Sequence, residues 1–340
     1  MKIRTRIVNQ PFRYPFTIAR GTKTHQPIFI VQMEWNGFYG YGEAPEITYY
    51  NIPAEKMQED LDRKKLFAEK FALTDPERYW HYLHHLFPQN AFLVCALDMA
   101  GWDLFGNIRG KSISELISSA SSEAPVTDYT IGIDTVEKMK DKMLEKPWPV
   151  YKIKVGFEGD MEMIRSLRKI TGSKLRVDVN SGWTSDQALR NIQELKDLDI
   201  ELVEQPLHKD DWEGMKKLFK ESTLPLIADE SCVSENDVDK CQGYFHGINI
   251  KLTKCSGITP ARRMITRARE LDLKIMLGCM NETTIGTAAM VHLAPFVDFL
   301  DADGPLLLKE DLATGITYLP SGHILPSGKP GLGISLIHPF

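Results

Sequence analysis

The chain has 340 residues, which predicts one large domain or two, and its 43% hydrophobic and 26% charged residues are ordinary for a globular protein. A formal net charge of -5 with no Lys/Arg block excludes a nucleic-acid footprint. No run of 18 apolar residues occurs, and no apolar stretch follows the basic Met1–Arg6 segment, so neither a membrane span nor a signal peptide is expected.

Residues 1 to about 45 read as β structure. Ile28–Trp35 is a strand, Asn36-Gly37 a hairpin turn and Phe38–Glu43 the returning strand. From about 53 to 118 the pattern is helical, and the apolar run Ala96–Phe105 is expected to stop at Gly106-Asn107. From about 128 the rhythm becomes strand, loop, helix. Strands are predicted near 129–133, 150–155, 175–179, 201–204, 226–229, 247–252, 274–278 and 297–301, with amphipathic stretches such as Met161–Ile170, Thr184–Leu195, Glu235–Gln242 and Pro260–Leu271 between them. No nucleotide-binding fingerprint appears, so the expected class is α/β. It is a (β/α)8-type (modified TIM) barrel at 121–318 behind an N-terminal α+β capping domain at 1–120. A Gly/Pro-rich segment at 319–340 is expected to return to the capping domain. Cys95, Cys232, Cys241, Cys255 and Cys279 are scattered and odd in number, which predicts reduced thiols and a cytoplasmic location.

Polar residues recur at the ends of the barrel strands. Lys154, Asp178, Glu204, Asp229 and Lys251 are spaced by 24, 26, 25 and 22 positions, the period of a strand-helix unit with its site at one rim. Asp178, Glu204 and Asp229 fall on three consecutive strands. A lone acid there would more often cap the next helix, but three together repel unless a cation neutralises them. Hard oxygens without His or Cys favour Mg²⁺ over zinc. Lys152 and Lys154 share one side of the second strand, and Lys251 ends the sixth, which lies diametrically opposite. Snorkelling lysines are the plainer alternative, but two amines facing each other across a barrel mouth suit proton transfer on two faces of a carbon acid. Burial, neighbouring cations and the metal are expected to lower their pKa. Asp301 and Asp303 end the eighth strand, opposite the metal acids. An Asp-Gly-Pro turn explains Asp303 but not the pair, which suits an ammonium group. Three features are set aside. His81, His84 and His85 read as a polar helix face, Gly331-Leu332-Gly333 is too short for a dinucleotide loop, and Lys254 lies past its strand end.

Taken together, the Lys-Ile-Lys, Asp-Val-Asn, Glu-Gln-Pro, Asp-Glu-Ser and Asn-Ile-Lys stretches resemble, in order and spacing, the barrel motifs of the muconate lactonizing enzyme subgroup of the enolase superfamily. Gly40–Pro45 and Ala96–Phe105 resemble its capping domain, and Asp301-Ala302-Asp303-Gly304-Pro305 is similar to the signature of its dipeptide epimerases. The resemblance implies a Mg²⁺-dependent epimerase, with Mn²⁺ as a substitute. Such an enzyme inverts the α-carbon of a dipeptide's C-terminal residue through an enediolate, L-Ala-D/L-Glu from cell-wall peptides being one substrate. It implies Lys154 and Lys251 as the two bases, and Lys152 as a cation that neutralises the anion and depresses Lys154. Asp178, Glu204 and Asp229 become metal ligands with Asn180 and Glu230 behind them, and Asp301 and Asp303 hold the substrate's ammonium. The Pro15–Lys23 segment is implied to be a loop closing over the barrel. Lys23 is either a cation for a glutamate side chain or a solvated group; Arg20 is the alternative cation or a structural ion-pair partner. Met280 and Asn281, within Gly278–Glu282, are expected in the pocket. A homo-oligomer with a small dipeptide substrate, and no nucleic-acid or membrane partner, completes the expectation. N-acylamino acid racemase, o-succinylbenzoate synthase and muconate cycloisomerase are the competing reactions, none of which needs the Asp301/Asp303 pair. A non-catalytic barrel is disfavoured by the intact site. Cys255-Ser256-Gly257 departs from a Gly-Gly common among relatives.

Overall fold

The computed structural model describes residues 1–117 and 123–340, so the expected boundary at 120 and 121 lies outside the described residues. The chain opens with an antiparallel meander of β1 (Lys2–Ile18), β2 (Gly21–Trp35) and β3 (Phe38–Pro45). Asn36 and Gly37 both take positive φ, 51° and 80°, as a two-residue hairpin between right-twisted strands requires. Residues 28–33 are buried without a break because β2 serves two cores. Phe29, Val31 and Met33 pack on the capping helices, while Ile28 and Ile30 belong to the cluster that runs into the barrel. The segment expected as a closing loop is instead the far end of the β1–β2 hairpin, with Ile18 paired to Gly21 around a turn at Ala19-Arg20.

Helices α1 (Ala54–Lys70), α2 (Pro76–Leu86), α3 (Ala91–Arg109) and α4 (Ile113–Ile117) follow. Helix α3 runs past the predicted stop at Gly106-Asn107 and ends at Gly110, whose φ of 64° supplies the left-handed cap. Gly40 and Gly42 let β3 lie directly on α3. A Cβ on either would stand 2.3 Å from Ala100 O or 2.1 Å from Ala96 O.

The barrel strands are β4 (Tyr129–Ile131), β5 (Val150–Lys154), β6 (Lys174–Asp178), β7 (Ile200–Glu204), β8 (Leu226–Ala228), β9 (Gly247–Ile250), β10 (Lys274–Gly278) and β11 (Phe299–Asp301). They run parallel in that order, and a bridge between Thr127 and Leu300 closes the ring. All eight lie where the sequence predicts them. Outside them are α5 (Val136–Glu145), α6 (Asp160–Arg168), α7 (Ser185–Asp197), α8 (Trp212–Glu221), α9 (Glu235–Cys241), α10 (Leu252–Cys255), α11 (Ile258–Glu270), α12 (Thr284–Leu293) and α13 (Gly304–Leu307). Leu202, Ile227 and Met276 plug the barrel floor with Phe299. Beside them Arg176 is buried against Asp128 at 2.9 Å and Glu201 at 2.7 Å. Lys154, Asp178, Glu204, Asp229, Lys251 and Asp301 lie at the opposite, C-terminal rim.

The two halves are joined by buried polar contacts. Glu43 accepts from Thr283 Oγ1 (2.7 Å) and the Gly286 N–H (2.8 Å) at the start of α12. Asp98 on α3 accepts from Thr259 Oγ1 (2.7 Å) and its N–H (3.0 Å). The departure at Ser256-Gly257 is accommodated: both residues take positive φ, 74° and 131°, and Trp80 Nε1 donates to Ser256 O at 3.0 Å. Beyond the barrel, residues 319–340 touch both halves. Gly322 O accepts from the Thr127 N–H (2.8 Å), and the Leu332 N–H donates to Asp103 of α3 (2.7 Å).

Candidate active site

Parallel register sets Lys154 of β5 beside Asp178 of β6, and Asp178 beside Glu204 of β7. Asp229 follows β8, so the three acids form a row across adjacent strand ends. Lys152 Nζ lies among them, 2.7 Å from Glu204 Oε2, 3.2 Å from Asp178 Oδ2 and 2.7 Å from Asp301 Oδ2. Lys154 Nζ contacts Asp178 Oδ2 at 2.5 Å, and Lys251 Nζ contacts Asp229 Oδ2 at 2.8 Å. One amine thus stands at each end of the row.

The electrostatics follow from this mutual pairing. Burial alone would raise Asp178 and Asp229, but the neighbouring ammonium groups outweigh it and hold both below the usual carboxylate range. Glu204 is pushed up to about 7 by burial and by Asp178. Burial pulls Lys152 and Lys251 down, yet the carboxylates win and leave both raised. Each of these amines sits on an acid, which is what holds it up. Lys152 bridges the acid row and Asp301.

The second aspartate pair is divided. Asp301 Oδ2 is taken by Lys152, which with Lys154 lowers its pKa against burial. Among the described residues Asp303 has no cation partner. It accepts from the Thr130 N–H at 2.6 Å, faces Cys279 Sγ at 3.5 Å, and is raised to about 6 by burial and Asp301. Of the two carboxylates, Asp301 is thus bound to Lys152 and Asp303 is the one left facing the cavity without a cation among the described residues.

A cavity of about 430 Å³ opens beside the row, lined by Lys152, Lys154, Asp229, Lys251, Asp301 and Asp303. Phe16, Ile18, Ile47, Tyr49, Tyr50 and Met280 supply its apolar wall. Arg20 fastens the hairpin tip over the rim, with its guanidinium 2.7 Å from Glu230 Oε1, 3.2 Å from Asn180 O and 4.1 Å above the Tyr49 ring. Arg20 is thus the ion-pair partner, while Lys23 makes only long contacts to Gln26 (3.4 Å) and Glu46 O (3.5 Å) and is lowered by burial. Asn180 and Asn281 line the cavity at positive φ, 47° and 65°. Of the Gly278–Glu282 segment, Cys279, Met280 and Asn281 reach the cavity; Glu282 turns away to Thr253 Oγ1 (3.1 Å).

Lys254, set aside in the sequence, belongs to the site: its buried ammonium contacts Asp229 Oδ1 at 2.6 Å. Its three-residue offset from Lys251 was the available signal. Thr130, Tyr49 and Tyr50 gave none, since they arrive from the first strand and a capping loop. The histidines of α2 are exposed, as read.

The acid row suits a hard divalent cation. Its oxygens are buried, and among the described residues Glu204 Oε2 has no hydrogen-bond donor although Lys152 lies 2.7 Å away, off the bonding direction.

Comparison with known proteins agrees. Residues 1–118 match the mandelate racemase / muconate lactonizing enzyme N-terminal domain, and residues 134–338 the enolase C-terminal domain-like family. The chain belongs to the enolase superfamily. It is 44% identical to an L-Ala-D/L-amino acid epimerase of Flavobacterium johnsoniae, over 99% of this chain and 100% of that one. The substrate-liganded L-Ala-D/L-Glu epimerase of Bacillus subtilis superposes with a TM-score of 0.92 at 32% identity, covering 98% and 99% of the chains. A dipeptide epimerase of Enterococcus faecalis, complexed with Mg and L-Leu-L-Tyr, gives 0.92 at 31% identity over 98% and 99%.

Proposed function

We propose that this protein is a Mg²⁺-dependent dipeptide epimerase that inverts the α-carbon of the C-terminal residue by two-base proton transfer. One observation carries the reading: Lys154 and Lys251 hold opposite ends of one buried acid row, with the unpaired carboxylate of Asp303 across the same cavity. Asp178, Glu204 and Asp229 are the proposed metal ligands. Bound there, Mg²⁺ supplies positive charge for the substrate carboxylate and takes over the negative charge that keeps the lysines protonated.

One of Lys154 and Lys251, in its neutral form, takes the α-proton onto Nζ. The other, as ammonium, delivers a proton to the opposite face, and the roles exchange with the direction of reaction. Lys152 remains charged and neutralises the enediolate oxygens. Asp303, assisted by Asp301, holds the substrate's ammonium, and the hairpin fastened by Arg20 excludes water. Asn180 and Glu230 orient the rim, and Met280, Asn281 and Lys23 meet the substrate side chains. Mn²⁺, with the same hard-oxygen preference, is the proposed substitute. Dipeptides of the Ala-Glu type, such as those from cell-wall peptides, are the first candidates. Five free, buried cysteines support a cytoplasmic setting, and the exposed Trp35, Phe38 and Tyr39 support a homo-oligomer.

The test is incubation with L,L-dipeptides and Mg²⁺ in D₂O, with mass spectrometry of the C-terminal α-position. Deuterium is expected there for the parent, and epimerisation is expected to be lost in Lys154→Ala and Lys251→Ala. Exchange with N-succinyl amino acids but with no dipeptide would overturn the reading.

A further inference from the structure

The acid row has a second regularity. Each carboxylate offers one oxygen to a lysine of the cavity and has the other fixed by a donor of the scaffold. Asp178 Oδ2 faces Lys154 and Lys152, while its Oδ1 accepts from the Asn180 N–H at 3.0 Å. Glu204 Oε2 faces Lys152, while its Oε1 accepts from Asn249 Nδ2 at 2.8 Å. Asp229 Oδ2 faces Lys251, while its Oδ1 is held by Lys254.

The two outer side-chain donors, Lys254 and Asn249, are buried. Lys254 Nζ lies 2.6 Å from Asp229 Oδ1, 2.6 Å from Asp229 O, 2.9 Å from Cys232 O and 3.2 Å from Asn249 O. Four acceptors more than occupy the three protons of an ammonium group, so this lysine has nothing left for substrate. Asn249 is fully buried inside the barrel on β9. Lys251, by contrast, makes a single hydrogen bond.

We propose that Lys254 and Asn249 are positioning residues that reserve one oxygen of Asp229 and of Glu204, and so make the site reject calcium in favour of magnesium. The proposal rests on the reading of the acid row as a divalent-cation site. Calcium takes six to eight oxygens and readily uses both oxygens of one carboxylate; magnesium takes six and is satisfied by single oxygens. With the outer oxygens held at hydrogen-bond distance, the row presents three single oxygens. A structural lysine serving only stability would not discriminate between the two ions.

The experiment measures displacement of Mn²⁺ from the full-length protein by Mg²⁺ and by Ca²⁺, followed by electron paramagnetic resonance. Parent, Lys254→Met and Asn249→Leu are compared, with thermal unfolding as a check on folding. The parent is expected to prefer Mg²⁺, and each variant to shift the Mg²⁺/Ca²⁺ affinity ratio toward calcium by about tenfold or more, the scale on which groups behind metal ligands act. Asn249→Leu keeps the branched shape, with methyl groups in place of the amide, and strands no partner of Asn249 Oδ1, which has none among the described residues, so it carries the test if Lys254→Met fails to fold. An unchanged ratio in folded Asn249→Leu, or an equal loss for both ions in Lys254→Met, overturns the proposal alone. A parent that binds neither Mn²⁺ nor Mg²⁺ overturns it together with the metal reading.

Discussion

Glu43 offers a direct test of how the two halves are joined. It is fully buried, and burial raises its carboxyl from an ordinary 4.5 to about 8 despite bonds from Thr283 and Gly286. The group is therefore protonated in the folded protein at neutral pH. Because the folded value is raised, the stability it contributes is complete below pH 4.5 and is lost as the pH rises through about 8. The full effect is on the order of 5 kcal/mol, of which about 3 kcal/mol falls between pH 6 and pH 9. Glu43→Gln keeps the shape and cannot ionise. Its carbonyl accepts from Gly286, and its amide donates to Thr283 Oγ1 once that hydroxyl turns. Thermal unfolding of variant and parent across this range is the assay. The Tm difference, variant minus parent, is expected to grow by about 4 °C from pH 6 to pH 9. Taking the difference removes Asp98 and Asp103, which burial raises to about 7 with the same sign. A difference constant across pH, or a large loss in the variant already at pH 6, would refute the argument by showing Glu43 ionised in the fold.

Other outcomes follow from the site and its supports. Asp303→Asn is expected to raise KM for dipeptides without changing Mn²⁺ affinity. The parent's kcat/KM should fall as pH drops through about 6, where Asp303 takes up a proton, and steady-state kinetics at pH 5 to 8 would detect this limb. Lys23→Met should lower the kcat/KM ratio for Ala-Glu over Ala-Leu by about tenfold, the worth of one charge-assisted hydrogen bond; an unchanged ratio would mean that Lys23 never meets the side chain. Gly257→Ala should cost about 2 kcal/mol or more, read by denaturant unfolding. Its φ is 131°, and the added Cβ falls 2.3 Å from Asp98 Oδ2.

The barrel and its acid row were legible because a strand-end residue recurs with the period of the repeat, so Asp178, Glu204 and Asp229 could be aligned without coordinates. Asn36-Gly37 was legible for a local reason, since few other pairs accept two positive φ values. What escaped depends on segments distant in sequence. Lys254 gathers oxygens from Asp229, Cys232 and Asn249, and its three-residue offset from Lys251 does not by itself show that a lysine past its strand end folds back. Lys152 and Asp301 pair across 149 residues, which removes Asp301 from the free pair the sequence suggests. Helix α12 has no amphipathic pattern because every one of its residues is buried. The stop expected at Gly106 was misplaced because that glycine serves a close approach by Gly331 and does not end the helix.

The contact between Leu332 and Asp103 also has a meaning in time. Helix α3 has a mean hydropathy of 1.3 over 18 residues and is covered on one side by β3. Near Asp103 its cover is made 229 residues later. At ordinary rates of synthesis that interval is roughly 10 to 45 seconds. Throughout it a long apolar helix of the newborn chain waits outside the ribosome, its Asp103 already bonded to Tyr41 and Asn107 but one donor short, and its flank near Leu332 bare. The first half to be made is thus the last to be finished, and its exposure to chaperones and proteases is set by the length of the barrel in between.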